Sequence, residues 1–126
     1  MFVLLVWHFS YSDITKRKQL LEGDFPQFDA MVTFSSLEHS GLGRYGDSLN
    51  PWGDLIAMAQ SWCLLKPGAK ALVGVPGGKD SIGFNELRIY GRIMFPHLFA
   101  NWKQIYTTHC SMETMDKITI LMKPFE

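Results

Sequence analysis

The sequence predicts an α/β fold: a mostly parallel sheet, closed by an antiparallel C-terminal strand pair, with helices packed on it. Three observations carry this. Phe28 to Phe34 and Ala69 to Val75 are β-rich and nearly all apolar, as strands covered on both faces should be. Between them, apolar residues recur at Trp52, Leu55, Ile56, Ala59, Trp62 and Cys63, the i, i+3, i+4, i+7 stripe of a helix lying on a sheet. Strand, helix and strand in succession make a βαβ unit, which within one sheet is almost always right-handed. Further on, Trp102 to Cys110 and Lys117 to Met122 read as two strands with a short connection, the pattern of an antiparallel pair.

In chain order, Met1 to Trp7 is an apolar run, well short of the ~18 residues that span a bilayer. With no basic n-region and no A-x-A-like site near Ser10 to Ser12, it reads as a buried strand rather than a secretory signal. Ser12 or Asp13 caps a helix that runs through Ile14, Arg17, Leu20 and Leu21 and stops at Gly23. Asp24 to Gln27, containing Pro26, turns into the central strand. Residues 1–27 thus form a short N-terminal extension, and residues 28–126 the main unit. Asn50 is placed to cap the next helix, with Pro51 at its first position, where no backbone donor is needed. That helix stops at Lys66-Pro67-Gly68, because proline removes a donor and disfavours the helical state in the residue before it. Phe84 to Tyr90 suggests a short helix. Gly91 to Ala100, with Pro96 inside, is irregular or briefly helical.

At 126 residues the chain has the size of one domain. Twelve basic residues balance twelve acidic ones, and the longest basic run is Lys16-Arg17-Lys18. That argues against a nucleic-acid surface, which needs a one-sided basic stripe. With no membrane span and no signal, an intracellular soluble protein is the default. Cys63 and Cys110 lack CxxC spacing and allow either buried thiols or one disulfide. The place of Cys63 on the apolar side of its helix favours buried thiols.

In an α/β sheet, ligands bind in the crevice beyond the carboxyl ends of the strands. The strand ending at Phe34 opens there into a loop crowded with polar groups: Ser35, Ser36, Glu38, His39, Arg44, Tyr45 and Asp47. Pro76 to Asp80 emerges from the next strand at the same edge. Glu38-His39 is the best catalytic pair by type, since a carboxylate beside an imidazole can move a proton near neutral pH. The competing reading is that both hydrogen-bond loop amides and hold the turn in shape. Gly41 to Gly46 fits G-x-G-x-x-G, but it neither leaves a strand directly nor opens a helix, as a dinucleotide fingerprint must. Gly74 to Lys79 has three residues between its glycines rather than four, and Asp80 follows the lysine, so it is no P-loop. His8, His97 and His109 show no metal spacing, and no serine sits in G-x-S-x-G. Arg88 and Arg92 would face one anion on a helix, although solvated surface arginines are the commoner case.

FDAMVTFSSLEH, followed by a helix ending in LLKPGAKALVGVP, resembles the second half of class I S-adenosylmethionine-dependent methyltransferases. The longer string SLEHSGLGRYGDSLNPWGDL, with GVPGGKDSIGFNELRIYG after it, resembles more specifically an uncharacterised, nematode-rich family of methyltransferase-like domains (domain of unknown function 268). The likeness runs from about Phe28 to Trp102. It implies a partial Rossmann-like, methyltransferase-type sheet with S-adenosylmethionine as a small-molecule cofactor. Ser35, Ser36, Leu37 and Pro76 would lie beside that cofactor. Arg44, Tyr45, Asp47 and Lys79 would lie nearer a substrate, with Glu38 and His39 as catalytic residues.

Enzymes of this class hold the methionine part with a glycine-rich loop after their first strand, and a later acidic residue takes the ribose. Met1 to Gln27 contains neither, its one glycine being Gly23. The expectation is therefore an incomplete methyltransferase-like domain of unknown substrate. The alternatives are a non-catalytic remnant or interaction domain of the same fold, and an incomplete gene product. A sheet lacking its first strands would also expose an apolar edge and favour self-association.

Overall fold

The computed structural model describes residues 3–5, 21–23, 27–109 and 116–124. β1 (Val3–Leu5) lies parallel to β2 (Phe28–Phe34), and β2 lies parallel to β3 (Leu65–Pro76). Helix α1 (Gly53–Leu64) makes the crossover between β2 and β3. The chain then forms a small hairpin of β4 (Ser81–Ile82) and β5 (Arg88–Ile89) and the short helix α2 (Met94–Leu98). It closes with β6 (Lys103–His109) and β7 (Asp116–Met122), an antiparallel pair. β7 pairs antiparallel with β3, giving the sheet order β1-β2-β3-β7-β6. The predicted α/β architecture is the one observed. The helix expected from Ser12 is described only at its end, where residues 21–22 are helical and Gly23 has a left-handed φ of 75°. Its body, the turn at Pro26 and Cys110 lie outside the described residues.

The core forms on one face of the sheet. Met31 pairs with Ala71 and Thr33 with Val73, and these side chains are buried together with Val75 and Leu121. α1 covers them, but not with the expected stripe. Asp54, Met58, Ser61 and Leu64 are its buried residues, while Trp52, Ala59 and Cys63 are exposed. The face is turned by about one residue, near 100° of helix. The polar members of the real face are satisfied internally: the Ser61 hydroxyl donates to the Ala57 carbonyl, and Asp54 accepts from Tyr90. A hydrophobicity pattern scores such residues as surface. Cys63 is consequently a free, exposed thiol, not the buried one expected.

Two further expectations are corrected. Lys66-Pro67-Gly68 does not separate helix from strand, because β3 begins at Leu65, directly after α1. Phe28 pairs with Leu65 and Ala30 with Lys70, so the stretch between is a bulge, with Gly68 left-handed at φ 78°. A bulge is one of the few places where a sheet tolerates proline. Phe84 to Tyr90 is not helical. It contains the hairpin turn, where Asn85 takes φ 55°, a conformation asparagine tolerates, and then β5.

Lys123, just after β7, is almost fully buried. Its Nζ donates to the carbonyls of Trp62 (3.0 Å) and Leu65 (2.8 Å) and stands 3.9 Å over the Trp62 ring. A cation at the C-terminal end of a helix satisfies carbonyls without intrahelical partners and opposes the helix dipole. Lys123→Met keeps most of the stem and removes those charged hydrogen bonds. It should lower stability by about 1–3 kcal/mol, measured by urea unfolding.

Candidate functional site

β2 and β3 are parallel neighbours, so the loops that follow them, residues 35–52 and 77–80, open at the same rim of the sheet. The β4–β5 hairpin folds over this rim. Tyr90 N–H donates to the Pro76 carbonyl, and Gly78 N–H to the Tyr90 carbonyl. Under the hairpin lies Arg88, with no exposed surface. Its Nη1 donates to the carbonyls of Ser40 (2.6 Å) and Glu38 (3.4 Å), and its Nη2 to those of Pro51 (3.1 Å) and Asn50 (3.4 Å). Nε is 3.6 Å from Asp54 Oδ1, and Asp54 Oδ2 accepts from the Tyr90 hydroxyl at 2.9 Å. One planar guanidinium, with its fork of fixed donors, therefore ties both ends of the long loop to the first turn of α1. Burial, followed by the neighbouring Asp54 carboxylate, pushes the Tyr90 phenol far above its ordinary value.

Sequence reasoning missed this set. Arg88 is not a solvated surface arginine, and it does not share a site with Arg92, which is exposed. The available signal was strand spacing: Arg88 and Tyr90 are two apart and so share a face if the segment is extended.

Glu38 and His39 are brought together. Leu37–His39 forms one 3₁₀ turn, which undoes the opposed directions of an extended pair. His39 Nε2 lies 3.7 Å from Glu38 Oε1, and Nδ1 is 2.6 Å from the carbonyl of Glu86 at the hairpin. A carbonyl only accepts, so Nδ1 carries the donated proton and Nε2 faces the carboxylate. Glu38 is buried, and its Oε2 has no hydrogen-bond partner.

The other predicted residues divide between interior and rim. Leu37 is buried in the core, Ser36 and Pro76 are half-buried, and Ser35 is exposed with φ 47°. Arg44, Tyr45 and Lys79 are exposed; the Tyr45 ring meets His39 edge-on at 5.6 Å, and Arg44 stands 5.9 Å from its centroid. Asp47 is occupied within the loop, accepting from the N–H groups of Gly41 (2.6 Å) and Tyr45 (3.4 Å). Burial pulls its carboxyl upward, but these backbone donors outweigh that and hold it below its ordinary 3.8. The loop glycines serve conformation: Gly41 has φ 77°, and a Cβ there would sit 2.1 Å from the Asn50 carbonyl oxygen. Asp80, at the second loop, accepts from the N–H groups of Met94, Gly91 and Ile93 at the start of α2. The donor from Met94 contributes most to holding it below its ordinary value. Among the described residues, no group of His, Cys, Asp and Glu is arranged to hold a metal ion. No helix there is long and apolar enough to cross a membrane.

With this geometry, the comparisons are consistent with one another. The profile of the family described as "Caenorhabditis protein of unknown function, DUF268" matches residues 8–123. The chain belongs to this family. No curated protein matches it in sequence. Among solved structures, an S-adenosylmethionine-dependent methyltransferase from Methanosarcina mazei is 16% identical with a TM-score of 0.61, covering 81% of this chain and 63% of its own. Burkholderia thailandensis 1,6-didemethyltoxoflavin-N1-methyltransferase, solved with 1,6-didemethyltoxoflavin and S-adenosylhomocysteine, is 14% identical with a TM-score of 0.57 over 80% of this chain and 46% of its own. The N-methyltransferase NodS of Bradyrhizobium japonicum is 13% identical with a TM-score of 0.55, at 79% and 53% coverage. At such identities the likeness establishes the fold, the Rossmann-like sheet of class I methyltransferases. This family member spans between about half and just under two thirds of those chains.

At the rim, Ser35 is exposed and Ser36 half-buried. The Asp47 and Asp80 carboxylates are filled by backbone donors, and the sequence from Met1 to Gln27 has Gly23 as its one glycine. The described residues do not fit the methionine end of S-adenosylmethionine.

Two outcomes follow. Arg88→Met leaves the buried Asp54 carboxylate without its cation and should cost about 3–5 kcal/mol in chemical denaturation, more than Arg92→Met, which should change little. Asp47 and Asp80 have lowered folded-state values, so each contributes stability that is complete above 3.8 and lost as pH falls through its folded value. Asp47→Asn and Asp80→Asn should each flatten the loss of thermal stability below pH 3.8, as followed by circular dichroism.

Proposed function

We propose that residues 28–126 are the C-terminal, substrate-facing half of an S-adenosylmethionine-dependent methyltransferase-like domain. The observation that carries this reading is the pair of rim loops, side by side at the carboxyl ends of two parallel strands, one of them locked by a buried arginine. Methyl transfer asks above all for in-line placement of the reacting atoms, and a rigid loop supplies placement. S-adenosylmethionine, when bound, would supply the methyl group. The chain's own part is to face the cofactor with Ser35, Ser36 and Pro76 and to hold an acceptor against Arg44, Tyr45 and Lys79. His39, oriented by its bond to the Glu86 carbonyl, would take the acceptor's proton at Nε2, with the buried Glu38 beneath to stabilise the charged ring.

A second reading, a non-catalytic interaction domain of the same fold, is favoured by one specific observation. Both Asp47 oxygens and His39 Nδ1 are already engaged by backbone groups, which is what residues that shape a loop do.

Calorimetric titration with S-adenosylmethionine separates the two. Saturable heat is expected, with Ser35→Trp weakening binding at least about tenfold and Lys79→Ala leaving it unchanged. Silence at millimolar cofactor removes the enzyme reading. His39→Ala gives an independent check: a melting temperature within a few degrees of the parent suits a ligand-facing histidine, and a collapse of folding suits a structural one.

A further inference from the structure

The β4–β5 hairpin is fixed at its base and lightly held at its tip. At the base, Arg88 and Tyr90 are buried, and backbone bonds join Tyr90 to Pro76 and Gly78. Residues 83–86 form a turn closed on itself, with Gly83 N–H donating to the Leu87 carbonyl and Glu86 N–H to the Gly83 carbonyl. Phe84 in this turn is 80% exposed. Among the described residues, the hydrogen bond that ties the turn to the rest of the chain joins His39 Nδ1 to the Glu86 carbonyl, at 2.6 Å. With the turn in place, the His39 side chain is 12% exposed.

We propose that this contact is a proton-controlled latch: a protonated His39 holds the hairpin tip down, and loss of the proton frees it. The latch does not depend on the methyl-transfer reading. The ring lies between two acceptors, the Glu86 carbonyl at Nδ1 and Glu38 Oε1, 3.7 Å from Nε2. An imidazolium donates at both nitrogens, a neutral ring at one. With its single proton on Nδ1, the neutral ring keeps the latch but turns the Nε2 lone pair toward a carboxylate. With that proton on Nε2, it meets Glu38 but turns a lone pair toward the Glu86 carbonyl, and the latch is broken. The surrounding charges leave the Glu38 carboxylate to His39. Arg88 meets Glu38 at the backbone carbonyl and has Asp54, from α1, beside its Nε. From the loop, Tyr45 meets the ring edge-on and Arg44 stands over Tyr45. From the hairpin, the Glu86 carboxylate lies against Gly83. Glu38 is buried and its Oε2 has no partner, and a buried charge is costly unless it is paired. The latch is therefore tightest with the proton bound. It weakens as pH rises through the range where imidazoles lose their charge, between about 5 and 8.

Nitrogen-15 relaxation of the intact chain tests it. The order parameters of the amides from Gly83 to Glu86 should be about 0.85 at pH 5.5 and below about 0.6 at pH 8.5, with those of β2 and β3 unchanged. His39→Asn has no titrating ring, so its tip should carry no pH dependence. Glu38→Gln can donate to the Nε2 lone pair, so the neutral ring keeps the latch and the tip should stay ordered at pH 8.5. Tip order in the parent that does not change between the two pH values overturns the proposal. So does a change that persists in full in His39→Asn or in folded Glu38→Gln.

Discussion

The Arg88 guanidinium is the constraint on which the site depends. A long loop between β2 and α1 has many backbone carbonyls and no regular ladder to satisfy them, and buried carbonyls must find donors. Arg88 supplies donors to four of them, at residues 38, 40, 50 and 51. The charge it brings into the interior is met by Asp54. Removing a charge from water costs several kcal/mol unless it is paired and hydrogen-bonded, and here it is both. The loop therefore wraps an ion pair. Its shape follows from β5 and α1 as much as from its own glycines.

This also explains how far the sequence could be read. The βαβ unit and the closing antiparallel pair were legible because they follow from apolar periodicity, which reports burial directly. Cys63 and Trp52 were assigned to the core and stand outside it; Asp54 and Ser61 would pass for surface residues and lie inside. A buried aspartate with a tyrosine hydroxyl on one oxygen and a guanidinium near the other looks, in one dimension, the same as a solvated one. Its partners lie more than thirty residues away in Arg88 and Tyr90, beyond any window of local pattern. The same limit applied to Phe84–Tyr90. Asn85 and the charged neighbours resemble a short helix until the tertiary partner of Arg88 is known.

The residues named from the sequence for the rim differ in where the fold puts them. Glu38 and His39 do approach each other, which an extended loop would have prevented and the 3₁₀ turn permits. Asp47 turns inward to its own loop's amides. Arg44 and Tyr45, whose side chains meet, stay exposed, as do Lys79 and Ser35. The part of the rim able to meet a ligand is thus narrower than its polar composition suggests, and chemically simpler.

That division also limits where proton chemistry can occur. Tyr90 is in contact with Asp54 and close to Arg88, an arrangement that elsewhere suggests an activated phenol. Here burial and the Asp54 carboxylate both oppose ionisation, and the single guanidinium does not offset them, so the phenol is held well above its ordinary value. A hydroxyl that only donates to a carboxylate is a strut. Under the hairpin the Tyr90 hydroxyl thus serves as a donor that holds Asp54 in place. Any group that exchanges protons with a bound molecule has to stand above it. At the rim, Glu38 and His39 combine a buried carboxylate, whose Oε2 has no hydrogen-bond partner, with a ring nitrogen 3.7 Å from its other oxygen, Oε1.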